Sequence, residues 1–175
     1  MIAALGLSLC TLAACDKPAQ SADVDTKQAP AAAPMVGYDL RRLRPREDES
    51  LAKMFDRMFE QARGEDKRVV VIFSADWCEP CQLLDLELGN THPPEMIGDV
   101  RVLELKEEDW NNVARMNEFN DLRSRWEPVL NTYPLVVMLD ESGAKREEMK
   151  EAKDRLEEAG LEPTLPMWFE ATRPS

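Results

Sequence analysis

The sequence predicts an α/β fold with a central mixed sheet flanked by helices, and three observations predict it. Short β-branched apolar runs at 68–75, 100–105 and 135–139 read as strands. Between them lie longer stretches whose apolar residues recur every three or four positions, as on one face of a helix. A pair of cysteines, Cys78 and Cys81, stands where the first run gives way to a helical pattern. The chain of 175 residues allows one ordinary domain with extensions, and a core of that size needs no disulfide support.

In chain order, Met1 to Ala14 is an apolar run too short to span a bilayer and ending in small residues, the pattern of a secretory signal. Residues 15–46 are expected to be a tether. From Asp16 to Pro34 they are rich in Ala, Pro, Gln, Ser and Asp, with too little apolar surface to order themselves. The cluster Arg41, Arg42, Arg44 and Arg46 then reads as a solvated domain entrance, with contact to anionic lipid as the alternative.

The domain is expected over 47–160. Leu51, Met54, Phe55, Met58 and Phe59 line one face of a first helix, and a strand over 68–75 leads into a helix from the cysteines to about Gly89. A loop with two prolines follows, 90–99, and the only histidine, His92, reads there as a turn residue. Val100 to Leu105 alternates as a half-buried strand. Asp109 is placed to cap one helix carrying Trp110, Val113, Met116, Phe119, Leu122 and Trp126. This segment and its loop to Pro134 are the expected seat of partner specificity, or else extra cover for the sheet. Leu135 to Leu139 is a buried strand, Asp140 to Gly143 a turn, and 144–149 a more polar strand completing a hairpin. Met149, Ala152, Leu156 and Ala159 give a last helix, stopped by Gly160 and Pro163. The tail 161–175, with Trp168 and Phe169, is expected to pack on the domain.

The chemistry lies in Trp77-Cys78-Glu79-Pro80-Cys81. A thiolate attacks a disulfide, and a cysteine in the first turn of a helix faces free N–H groups and the positive end of the helix dipole. Cys78 is therefore the candidate nucleophile. With two residues between, the second sulfur can close a ring and expel a bound substrate, which makes Cys81 the candidate resolving thiol. Pro80 stiffens the loop at a position where a missing N–H costs little. Trp77 is placed to shield the apolar rim.

Phe73 to Cys81 resembles the active-site segment of the thioredoxin superfamily, and Thr132-Tyr133-Pro134 resembles its second landmark. The likeness covers roughly residues 47 to 160. It implies a cis-Pro134 against the dithiol, the backbone at Tyr133 offering strand-like hydrogen bonds to a peptide. Ala-Asp-Trp-Cys-x-x-Cys with an acidic helix is most similar to periplasmic thioredoxin-like domains, including the C-terminal domain of the Dsb-system transmembrane electron transporter. Leu12-Ala13-Ala14-Cys15 resembles a bacterial lipobox, which implies lipidation at Cys15. Asp16 after it resembles an inner-membrane retention signal. Anchoring is then by acyl chains on the periplasmic side of the bacterial inner membrane. The rival reading is an ordinary cleaved signal.

Thioredoxins carry a buried aspartate six residues before the first cysteine; here Ile72 stands there. Another proton acceptor is needed. Asp85, matching an acidic position of the transporter domain, and Glu79 are the candidates, and both also fit a solvated helix face. Glu79 beside Cys78 opposes the helix dipole and disfavours the thiolate. That charge, together with the resemblance to reducing domains, favours reduction, and the resemblance implies protein disulfides as substrates and a membrane electron donor of the Dsb type.

No cofactor is expected. The net charge of −12, with no basic face or phosphate loop, disfavours nucleic acid and nucleotides. Two other readings stay open: a copper metallochaperone using the Cys pair as soft ligands, and a non-catalytic interaction module of the same fold.

Overall fold

The computed structural model describes residues 34–129 and 132–174. The expected signal, tether up to 33 and lipidation site Cys15 lie outside the described residues. The elements are β1 (Val36–Gly37), β2 (Asp39–Arg42), α1 (Leu51–Gly64), β3 (Arg68–Ser74), α2 (Glu79–Leu88), β4 (Thr91–His92), α3 (Pro94–Ile97), β5 (Val100–Lys106), α4 (Glu107–Asn111), α5 (Met116–Arg123), β6 (Leu135–Leu139), β7 (Lys145–Glu148), α6 (Met149–Glu158) and α7 (Leu165–Ala171).

The main sheet has the order β2-β5-β3-β6-β7. β2 and β3 run parallel to β5, while β6 is antiparallel to both β3 and β7. Helices cover both faces because successive strand residues point to opposite sides. Val69, Val71 and Phe73 of β3 pack with Leu51, Phe55 and Phe59 of α1 and with Trp110 and Phe119. Val70 and Ile72 pack instead with Leu84 of α2, Leu156 of α6 and Trp168 and Phe169 of α7. The tail thus forms a helix on the core. Gly160, at a φ of 71°, turns the chain out of α6 in the left-handed region where a side chain would be strained.

The fold corrects four of these expectations. The described fold already includes strands ahead of Glu47, since β2 adds a parallel edge strand to β5 over Asp39 to Arg42. Its composition hid it: Asp-Leu-Arg-Arg has no apolar alternation, and it is held by its ladder and by ion pairs. Arg42 bonds Asp109 at 2.8 Å, so the arginine cluster is in part structural. Asp109 accordingly caps nothing. The segment after β5 is two short helices, broken where Ala114 takes a φ of 55°, and Val113 is exposed. Finally, β5 is buried on both faces rather than on one. The loop 90–99 also differs: His92 pairs with Val36 in a two-stranded ribbon and bonds Glu87 at 2.9 Å.

Candidate active site

Strand β3 delivers the chain to the dithiol, and α2 begins directly behind it. Cys78 is the N-cap of α2 with an extended backbone, Glu79 and Pro80 occupy its first two positions, and Cys81 follows. Cys78 and Cys81 form a disulfide. The Cys81 amide, in the first turn of α2, donates to the Cys78 carbonyl at 3.0 Å and to Cys78 Sγ at 3.2 Å, the second being stabilisation a thiolate would receive at that place. Both sulfurs are buried with Ala75 and covered by Tyr133.

The loop before β6 closes over the pair. The Tyr133–Pro134 peptide bond is cis. Tyr133 meets Trp77 edge to face, with centroids 5.5 Å apart. Trp77 is 68% exposed, so it extends the site outward rather than shielding it. Burial, and then a hydrogen bond to Glu107, push the Tyr133 hydroxyl far above the ordinary tyrosine pKa, keeping it neutral. Pro80, Leu83 and Pro134 line one end of a groove of about 280 Å³ that runs on to Met149, Leu156 and Leu165. Leu83 and Leu86 on the outer face of α2 are exposed.

The two candidate carboxylates separate clearly. Glu79 is exposed at the helix start. Asp85 is half-buried and accepts a hydrogen bond from Lys106 Nζ at 2.7 Å, while Lys106 also reaches Asp76 at 3.0 Å. Burial works against the Lys106 ammonium, but those two bonds outweigh it and hold its pKa above the ordinary lysine value. Asp85 is therefore not a merely solvated face.

Sequence reasoning missed Arg123, whose guanidinium lies 4.5 Å over the Tyr133 ring and whose Nη2 donates to the Thr132 carbonyl. It also missed Glu104, a buried carboxyl on β5. Neither stands in a local motif. His92 is tied to Glu87, six residues beyond Cys81 towards the far end of α2, and is not brought to the cysteines.

No family model matches the chain, and no curated protein does. Among solved structures it is similar to a disulphide isomerase from Xylella fastidiosa Temecula1, at 19% identity over 73% of this chain and 94% of that one, with a TM-score of 0.49. A thioredoxin h of poplar has 19% identity over 69% and 92%, TM-score 0.42. Thioredoxin O1 of Arabidopsis thaliana, in its oxidised state, has 16% identity over 69% and 96%, TM-score 0.42. This chain has the thioredoxin fold. Sheet order, a dithiol at the start of α2 and a cis-proline ahead of β6 are its own features.

Proposed function

We propose that the chain is a thiol–disulfide oxidoreductase acting on protein disulfides through Cys78 and Cys81. The observation that carries this is the cysteine pair itself, closed as a disulfide at the N-terminus of α2 beneath Tyr133 and Pro134. In the reduced chain, the Cys78 thiolate attacks a substrate disulfide and one substrate sulfur leaves as a thiol. Cys81 then attacks Cys78 Sγ and releases the second. The substrate gains two electrons, the dithiol loses two, and a separate donor restores it. The exposed Trp77 and Leu83 and the groove beyond Pro80 and Pro134 offer apolar contact for an extended peptide beside the sulfurs.

The finer reading is a reductase, tethered through lipidated Cys15 to the periplasmic side of the inner membrane and fed by a Dsb-type membrane donor. Its support is the lipobox-like Leu12 to Cys15, the likeness of Trp77 to Cys81 and Asp85 to the transporter domain, and the acid at Glu79. Among the described residues no helix is long and apolar enough to cross a membrane.

Insulin reduction tests the roles. Cys78→Ser is expected to abolish turnover, and Cys81→Ser to accumulate a mixed disulfide with substrate; an undiminished Cys78→Ser protein would refute the assignment. Direction is read from the potential of the pair, about −270 mV for a thioredoxin-like reductant against about −120 mV for a strong oxidant.

A further inference from the structure

A small polar layer lies in the sheet beneath α2. Strand register sets Glu104 beside Ile72 and Lys106 beside Ser74. Registered neighbours share a face of the sheet, and Ile72 faces the side on which α2 packs. Glu104, Lys106 and Ser74 therefore all lie on that side. Glu104 is 5% exposed, and Ser74 is 1% exposed with its hydroxyl unpartnered among the described residues. Asp85 comes down to this layer from the helix and bonds Lys106. Four residues after Cys81, Asp85 sits on the same helix face one turn further on. The helix that carries the resolving sulfur thus also carries the carboxylate that joins it to the buried acid.

A carboxyl in this layer asks for an explanation, because burying one is costly and the neighbouring positions are filled by Val70, Ile72 and Val102. We propose that Glu104, held against Asp85 and Lys106, is the acceptor of the Cys81 proton in the resolving step. The inference rests on the dithiol reading above.

Three charged groups face Glu104: Asp85 from α2, Lys106 from its own strand and Arg42 from β2. Burial above all, with Asp85, raises the Glu104 pKa, and Lys106 and Arg42 only partly offset this. A raised carboxyl is the stronger base, which suits it to take a proton from a thiol.

The step balances. In the mixed disulfide, Cys81 passes its S–H proton to the Glu104 carboxylate, and the thiolate so formed attacks Cys78 Sγ. The bond from Cys78 to the substrate sulfur breaks, its electron pair leaves on that sulfur, and solvent protonates it. Glu104 then donates its new proton to Asp85, a hydrogen bond available only to the acid form, and the Lys106 ammonium balances the remaining charge.

Mixing one equivalent of Ellman's reagent with the reduced full chain, carrying Cys10→Ser and Cys15→Ser in every protein compared so that only the dithiol reacts, tests this. The first thionitrobenzoate reports attack by Cys78, and the second reports resolution by Cys81. In Glu104→Gln the first phase should keep its rate. The second should slow at least about tenfold at pH 7 and become proportional to hydroxide, since Cys81 must then ionise unaided. Second phases of equal rate and pH profile in the two proteins would overturn the inference alone. A wild-type chain with no second phase would overturn the dithiol reading as well. Should the variant not fold, the Glu104 carboxyl carbon can be titrated by NMR in the wild type: its pKa should move on reducing the disulfide, and coincident curves would refute the relay.

Discussion

Arg123 carries the loop that faces the disulfide. Its side chain is 1% exposed, and it gives up most of its hydration for two contacts, the ring of Tyr133 and the carbonyl of Thr132. Among the described residues its Nε has no hydrogen-bond partner. A flat guanidinium can stack on a ring and donate in its own plane at once, which an ammonium cannot do. Arg123→Met keeps length and apolar bulk but removes both contacts. It is expected to cost about 2 kcal/mol, from a lost hydrogen bond and a lost cation–π contact, read as a lower urea midpoint at unchanged slope. A midpoint equal to the wild type would show that the loop does not rest on this residue. Because Tyr133 packs on both sulfurs, the stability of the loop and the cover over the dithiol are one property.

Edge strand β2 illustrates how an element can be structural without being apolar. Its ladder to β5 satisfies backbone groups that would otherwise form an open edge. Asp39 also accepts from Arg101, whose side chain is 2% exposed and which Glu65 holds from the other end at 2.6 Å. A chain shortened to begin at Glu47 would strip the ladder and leave Arg101 with one partner. Losing a partner of a buried pair alone costs about 3–5 kcal/mol, so this chain should melt well below the full one, and a coincident thermal transition would contradict the role given to β2. The same element shows what sequence can and cannot reveal. Strands β3 and β6 and helices α1 and α6 were legible because burial imposes a period on apolar residues; β2 is read only through its partner. Strand β5 carries Arg101 and Glu104 among its apolar residues, so it resembled a half-buried strand, whereas both of those side chains are buried as well. At the site, Cys78, Cys81 and Pro134 were legible from contiguous motifs. Glu104, Lys106 and Arg123 join it through strand register and packing, which no local pattern encodes.

Across the described residues, ion pairs and hydrogen bonds fasten the C-terminal segment to the rest of the domain. Arg68 bonds Asp99 at 2.8 Å and Thr172 at 2.9 Å, and Arg173 reaches Asp99 at 3.2 Å. Glu147 accepts from Arg155 and from Trp168 Nε1, both at 2.7 Å, which ties α7 to β7. Burial pushes the carboxyl pKa values of Asp39, Asp99 and Glu147 upward, but their hydrogen bonds to arginine, lysine and Trp168 outweigh it and leave all three below the ordinary range. A carboxyl depressed in the folded state contributes stability that is present above its unfolded pKa, about 3.9 for Asp and 4.3 for Glu, and lost as pH falls through the folded value. Glu104 has the opposite sign: raised on folding, it favours the fold below its unfolded pKa and loses that contribution as pH rises through its folded one. Acid also relieves the repulsion of a chain with a net charge of −12. That repulsion is spread over the surface and screened by salt, whereas the three latches are short contacts that salt screens much less. At about 0.15 M salt the latches should therefore decide the outcome. The melting temperature is expected to be nearly level above about pH 5 and to fall steeply below about pH 4. Asp99→Asn should lower the level part and flatten the fall, since the variant has already lost one latch. A wild-type melting temperature that stayed level down to pH 3 would mean that charge relief, not the latches, governs this molecule in acid.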